Sequence, residues 1–284
     1  MPQTHTPLRY PGGKSKLFPF VKALVQSNGF SRCHYVEPYA GGAGLPIGLL
    51  VNEIVWSVHI NDLNPFIFSF WKSVVSDADR LCDLIEDVQV SMDEWHRQRA
   101  ILHDSSANHS TLEMAFATLF LNRTNRSGIL DGGVIGGKDQ TGKYKIDARF
   151  TKSTLIKKIQ KIASYKSRIT VTRHDAIDLL ESLDADRELL VNLDPPYIAQ
   201  GKNLYLNHYG EQDHFVVRNF LMNAGFRWML TYDDHQLARA LYDGFNCFKY
   251  SLNYSAQGRH SATELMVLSS SLDLPDKHSL RLAG

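Results

Sequence analysis

The stretch Leu189-Leu190-Val191-Asn192-Leu193-Asp194-Pro195-Pro196-Tyr197 decides the reading of the fold. It opens with an apolar run of the length of a buried strand. The Asp-Pro-Pro-Tyr end cannot continue regular structure, because proline offers no backbone donor and disfavours helical geometry in the residue before it. The acid, the prolines and the tyrosine are therefore held stiff and extended at the carboxyl end of a strand, where open α/β sheets bind ligands. A fixed carbonyl, a carboxylate and an aromatic ring suit the gripping of a flat molecule that carries an amino group. The plain alternative is a stiff turn that starts with an acid.

Outward from this point, apolar runs at 34–36, 57–60, 169–172, 227–231, 245–251 and 264–269 also predict strands. Helices are predicted over 45–53, 66–75, 79–90, 92–102, 112–121, 154–165, 176–183, 211–224 and 235–242. Strands and helices alternate in the first and last parts of the chain, which predicts a mainly parallel sheet with helices on both faces. The last two strands have no helix between them, so one of them is expected to run antiparallel. The middle part is helical and ends in an irregular stretch, 122–150, rich in Gly, Arg, Lys and Asn. Irregular stretches of that length in a compact domain carry function or move. The chain thus reads as a sheet-bearing domain, 1–65 and 151–284, with residues 66–150 inserted into it. The tail from Asp273 is expected to be loosely held.

Composition sets the limits. The chain has 284 residues, 43% hydrophobic and 21% charged, enough for a substantial core. A formal net charge of +1 announces no nucleic-acid partner, although an uneven distribution leaves room for a local basic surface. Cys33, Cys82 and Cys247 stand far apart, without metal-ligand spacing, and fit a reducing compartment better than a disulfide framework. The first residues lack the apolar core of a signal peptide, and no apolar run would span a bilayer. A cytoplasmic protein without a membrane or metal partner is the expectation, with a monomer as its simplest state. The twelve histidines are scattered and expected to be structural; Trp56, Trp71, Trp95 and Trp228 are expected in the core. Lys157, Lys158 and Lys161 read as one wet helix face.

Two further segments carry chemistry. Glu37-Pro38-Tyr39-Ala40-Gly41-Gly42-Ala43-Gly44 occupies the first strand-to-helix turn. Glycines there let a backbone approach a ligand and tolerate positive φ. The spacing departs from strict G-x-G-x-x-G, so the turn alone fits a tight turn and a ligand cradle equally. Asp62, after the next strand, stands where an acid commonly holds ribose hydroxyls; a helix N-cap ahead of Pro65 is its alternative. Tyr10-Pro11-Gly12-Gly13-Lys14-Ser15 invites a P-loop reading and fails it, because the leading glycine and the preceding strand are missing. By itself it reads as a helix start with Lys14 in solvent.

Taken in order, these segments resemble the Dam-type family of DNA adenine-N6 methyltransferases, the D12 class. The resemblance rests on Arg9-Tyr10-Pro11-Gly12-Gly13-Lys14, Val36 to Gly44, Ile60-Asn61-Asp62-Leu63-Asn64, Phe120-Leu121-Asn122-Arg123 and Asn192 to Tyr197. It covers most of the chain and is weakest in 77–110 and at the C-terminus. It implies a Rossmann-like class I methyltransferase fold with a mainly parallel seven-stranded sheet, and a mostly helical target-recognition insert at 66–150. It implies S-adenosylmethionine as cofactor, held by Tyr10, Lys14, Glu37, Tyr39, Gly41, Gly42, Gly44, Asp62, Asp175 and Asp194. Asp175 equally suits the N-cap of the helix that begins at Ala176. Catalysis falls to Asp194, Pro195, Pro196 and Tyr197, acting on an adenine flipped out of double-stranded DNA. Asn122, Arg123, Asn125, Arg126, Lys138, Lys143, Lys145 and Arg149 are the expected DNA contacts; a solvated basic loop is the bland reading of the cations. The chain departs from the GATC-type members at Thr124-Asn125-Arg126-Ser127-Gly128 and in the run Gly132 to Gly137, which leaves its target sequence open. The tetrapeptide by itself also fits methylation of RNA adenine, cytosine N4 or a protein amide, or an inactive DNA-binding relative. A cognate restriction endonuclease and a bacterial or phage origin are further expectations of the resemblance.

Overall fold

Every residue of Leu189–Leu193 is buried, as a strand covered on both faces requires. The computed structural model describes residues 4–10, 13–104, 109–198, 209–254 and 260–275, so Pro11, Gly12 and the tail past 275 lie outside the described residues. The strands are β1 (His34–Glu37), β2 (Ser57–Asn61), β3 (Ile169–Thr172), β4 (Leu189–Leu193), β5 (Arg227–Asp233), β6 (Asn246–Tyr254) and β7 (His260–Leu268). They form one 7-stranded sheet in the order β3-β2-β1-β4-β5-β7-β6. The pairs among β1 to β5 are parallel. β7 inserts antiparallel between β5 and β6, so it is the reversed strand.

The helices are α1 (Phe18–Ser27), α2 (Gly44–Val51), α3 (Pro65–Ser76), α4 (Ala78–Asp87), α5 (Met92–His103), α6 (Thr111–Thr124), α7 (Lys152–Ala163), α8 (Ala176–Glu181), α9 (Glu211–Met222) and α10 (Gln236–Leu241). Local signals explain several boundaries. Asn64 caps α3, its side chain accepting from the Phe66 and Ile67 amides, and Pro65 opens the first turn. A capping box between Ser110 and Glu113 starts α6.

Period-two alternation sorts the strands' side chains onto two faces. Tyr35, Leu190, Met229, Met266 and Leu268 point into one core, shared with Leu24 of α1, Trp71 of α3, Phe120 of α6 and Ile159 of α7. Val36, Val191, Leu193, Leu230 and Val267 point into the other, closed by Leu180 of α8, Leu221 of α9 and Leu241 of α10. The first helices of the 66–150 segment therefore cover the sheet directly. β1 leads to β2 on one side and β4 leads to β5 on the other, so the chain order reverses between β1 and β4. At such a reversal, beyond the strands' carboxyl ends, open α/β sheets place their ligand crevice.

Some expectations fail locally. Trp56 is 44% exposed, flanked by the Arg32 and Arg168 guanidiniums at 4.2 and 5.1 Å, because cations on the ring replace core packing. Asp273 is tied down: its amide donates to Asn28 Oδ1 (2.9 Å) and its carbonyl accepts from Asn28 Nδ2 (2.8 Å). Lys158 leaves the wet face of α7 and donates to the Thr6 carbonyl at 3.0 Å. Among the described residues no helix is long and apolar enough to cross a membrane.

Candidate active site

The crevice is built on the turn after β1. Asn61, fully buried at the end of β2, donates to the Pro38 and His174 carbonyls and accepts from the Thr172 hydroxyl, which knots three strand ends together. Asp62 then accepts from the Gly41 amide (2.8 Å) and the Asn64 amide (2.9 Å). The cap of α3 is Asn64, so the N-cap alternative for Asp62 falls away. Trp71 donates its indole N–H to the Gly41 carbonyl (2.9 Å), and Thr6 donates to the Gly42 carbonyl (2.6 Å).

The glycines are needed here for a reason the sequence does not announce. Gly41 has φ +46°, and a Cβ on it would come within 2.6 Å of the Tyr10 ring. A Cβ on Gly42 would meet Tyr10 Cβ at 2.6 Å, and one on Gly44 would strike the Ser15 hydroxyl. The bare backbone lets the N-terminal arm lie flat across the turn. That arm carries Lys14 into the crevice.

On the floor, Glu37 of β1 is buried and accepts from Asn192 Nδ2 (3.0 Å) and the Tyr35 hydroxyl (3.3 Å). Burial pushes its carboxyl up to about 8, against the lowering effect of the Asn192 hydrogen bond. Burial likewise pushes Asp62 up to about 6, opposed by its two backbone donors. Asn192 Oδ1 is buried without a hydrogen-bond partner.

The tetrapeptide follows β4. Asp194 Oδ1 accepts from the Thr231 hydroxyl of β5 (2.7 Å), and its Oδ2 faces Lys14 Nζ at 2.9 Å. The same ammonium donates to the Tyr197 hydroxyl (2.7 Å) and lies 3.6 Å from Glu264 Oε2 of β7. Lys14 is only 6% exposed, so the solvent reading of this residue is wrong: β4 and β7 supply carboxylates that the sequence leaves far away. Pro195 and Pro196 are buried, while Asp194 and Tyr197 keep part of their surface exposed. Burial, then Asp194 and Glu264, hold the Tyr197 hydroxyl well above the usual phenol range. Sequence reading missed Thr231 and Glu264; a lone Thr and a lone Glu inside strands carry no signal.

The remaining expected cofactor residues make hydrogen bonds of their own. Asp175 caps α8, accepting from the Ile177 amide at 2.8 Å. The Tyr39 and Tyr209 hydroxyls stand 2.8 Å apart. The strand ends gather carboxyl groups and an orphaned amide oxygen, acceptors that fit a ligand carrying amino groups. Among the described residues no group of three or more His, Cys, Asp or Glu side chains could hold a metal ion.

The expected DNA-contact residues divide. Asn122 is 1% exposed: its Oδ1 accepts from the Arg9 amide and its Nδ2 donates to the Arg9 and Gly128 carbonyls. Asn125 is fully buried, accepting from the Trp95 indole and donating to the Ile129 and Leu130 carbonyls. Every polar atom of these amides is engaged inside the protein, so they build the loop and no base edge reaches them. This corrects their reading as DNA contacts. Arg126, Lys138, Lys143, Lys145 and Arg149 keep surface open to solvent. Arg123 donates to the Arg149 carbonyl (2.7 Å) and is pushed down to about 10 by burial, then by Arg9 and Arg149. Burial and then Arg123 likewise lower Lys158. Among the described residues no carboxylate pairs with Arg9, Arg123, Arg149 or Lys158. A separate cleft of about 470 Å³ between α5 and the loop after α6 is lined by His96, Arg99, Arg126 and Lys138.

A seven-stranded, mainly parallel sheet with one reversed strand near its edge, and an acid-rich crevice at its switch point, define a Rossmann-like methyltransferase. The profile of the D12 class N6 adenine-specific DNA methyltransferases matches residues 10–255, and the chain belongs to that family. It is an enzyme that methylates adenine at N6 in DNA, and its family uses S-adenosylmethionine. It is also similar to a type II methyltransferase, M.MjaIII, of Methanocaldococcus jannaschii, with 25% identity covering 85% of this chain and 89% of that protein.

Proposed function

We propose that Asp194 and its proline neighbour hold the amino group of an adenine extruded from duplex DNA while methyl transfer takes place. The observation that carries this reading is the Asp194 carboxylate, fixed by Thr231 and Lys14 at the switch point beside the glycine turn. An adenine amino group is a poor nucleophile, because its lone pair is delocalised into the ring. The Asp194 carboxylate accepts one N6–H and the Pro195 carbonyl accepts the other. That favours a pyramidal nitrogen with its lone pair free to attack. Each carboxylate oxygen has more than one lone pair, so Asp194 accepts the substrate beside Lys14. The Tyr197 ring stacks on the base, worth about 1–3 kcal/mol. S-adenosylmethionine supplies an electrophilic methyl group on a positively charged sulfur. Glu37, Asp62 and the turn from Glu37 to Gly44 hold that molecule, with Tyr10, Tyr39 and Asp175 around it; Lys14 belongs to the tetrapeptide instead. Positioning and preorganised acceptors then supply most of the rate.

Base extrusion costs a few kcal/mol, which backbone contacts offset. The insert, 66–150, supplies the DNA-facing surface through its exposed cations, joined by Arg9 and Lys158 from outside it. A companion endonuclease belongs to the same proposal, and a monomer suffices for the chemistry. The test is methyl transfer from labelled S-adenosylmethionine to unmethylated duplex DNA. Label recovered as N6-methyladenine is the expected result; label only in RNA, protein or cytosine refutes the assignment. Asp194→Ala is expected to lower kcat at least about 10²-fold, the scale of losing a preorganised polar partner, while the fold persists by circular dichroism. Near-normal turnover in that variant rules out this role for the carboxylate.

A further inference from the structure

Glu264 lies beyond the residues matched by the family profile, which end at 255. It is 1% exposed in β7, and the methyl-transfer steps proposed for Asp194, Pro195 and Tyr197 do not use it. Strand register places it opposite Tyr250 of β6 and Asp233 of β5. Directly opposed residues share a face, so Glu264 joins Thr231 and Tyr250 on the side that faces the tetrapeptide. The Tyr250 hydroxyl donates to Glu264 Oε2, the oxygen that lies 3.6 Å from Lys14 Nζ. Lys14 in turn reaches Asp194 at 2.9 Å and the Tyr197 hydroxyl at 2.7 Å.

A buried ammonium between two carboxylates is shared by them. We infer that Glu264 is a positioning residue for methyl transfer: as a second carboxylate 3.6 Å from the Lys14 ammonium, which lies 2.9 Å from Asp194, it shares that charge, so that Asp194 keeps acceptor capacity for the adenine amino group. Without the Glu264 charge, the balance tips toward Asp194, and its pair with the buried lysine closes upon itself. The carboxylate that must receive N6–H is then pulled off line toward its own counter-ion. Glu264 also hydrogen-bonds the Tyr197 side chain, and so bears on the place of the stacking ring. The reversed strand β7 thus contributes to the site through a charge, although the motif that marks the site follows β4. This inference rests on the role proposed for Asp194.

The experiment is a cycle of Glu264→Gln, Lys14→Met and the double variant. It reads kcat, KM for duplex DNA, KM for S-adenosylmethionine and the thermal midpoint. Gln keeps the shape and can still accept from Tyr250, but it removes the charge. Glu264→Gln is expected to lower kcat roughly 10-fold, less than loss of a direct transition-state partner, with both KM values nearly unchanged. The double variant is expected to lose no more than the worse single one, because residues that act through each other are non-additive. Wild-type kcat in Glu264→Gln, or a double loss equal to the product of the single losses, overturns the inference. If Glu264→Gln does not fold, Glu264→Asp replaces it in the cycle: the shorter side chain withdraws the charge from Lys14 and is expected to lower kcat non-additively with Lys14→Met, and an unchanged kcat overturns the inference. Absence of any wild-type methyl transfer to DNA refutes the parent assignment instead, so the two failures are told apart.

Discussion

At Gly42 a single methyl group decides whether the N-terminal arm can lie across the glycine turn. An alanine there brings its Cβ to 2.6 Å from Tyr10 Cβ, a contact that backbone or ring must relieve. Overpacking of this kind costs about 1–3 kcal/mol. Gly42→Ala is expected to lower the thermal midpoint and, by displacing the arm that sets Lys14 between Asp194 and Glu264, to lower kcat as well; a variant matching the wild type in both would contradict the packing argument. Glu37 makes a different kind of prediction. Its carboxyl ordinarily titrates near 4.5 and is pushed up to about 8 in the folded protein. Between those values the folded state holds a proton that the unfolded state has released. Stability therefore falls as pH rises from about 4.5 to about 8, by up to roughly 1.4 kcal/mol per unit crossed. Asp62 adds the same sign between 3.8 and about 6. Glu37→Gln is expected to flatten this decline in chemical denaturation measured across that range. A decline as steep as in the wild type would show that Glu37 is ionised at neutral pH.

At the scale of elements, the loop after α6 is held from within. Asn122 clamps the Arg9 backbone and the Gly128 carbonyl, so one amide joins the N-terminal arm, α6 and the loop after it. Removing it orphans buried backbone groups, at about 1–3 kcal/mol. Asn122→Ala is expected to loosen the arm and the loop together, with faster amide exchange at Arg9 and Gly128. Exchange accelerated at one of these sites alone would show that the clamp does not couple them. The β5–β7–β6 end of the sheet acts as a scaffold: Thr231 aligns Asp194, and Glu264 meets Lys14, because alternate residues on adjacent strands face the same side. Legibility of these elements was uneven. β4 was readable to the residue, since an apolar run ends at a proline pair. α1 was given no range, although the motif before it reads as a helix start; Pro19 sits in its first turn, where proline is tolerated.

For the whole molecule, a net charge of +1 conceals a cationic surface. Arg9, Arg123, Arg149 and Lys158 come from three separate parts of the chain, and their mutual repulsion lowers the proton affinity of Arg9, Arg123 and Lys158 beyond what burial does. Such a cluster is relieved by phosphate. Arg149→Gln is expected to reduce the slope of log K against log salt by about 0.9 for duplex DNA, leaving cofactor affinity unchanged; an unaltered slope would place Arg149 away from the DNA. The sequence by itself determined the class of sheet, the position of the tetrapeptide and the glycine turn, and the family, because each is carried by residues adjacent in the chain whose local chemistry admits few conformations. Only the tertiary structure decided that Lys14 is buried against Asp194, that Glu264 meets the same ammonium, and that Asn122 and Asn125 build the loop. Those outcomes depend on which strands lie side by side and which faces they turn to one another, and charges or amides that meet across long stretches of chain leave no local pattern to read.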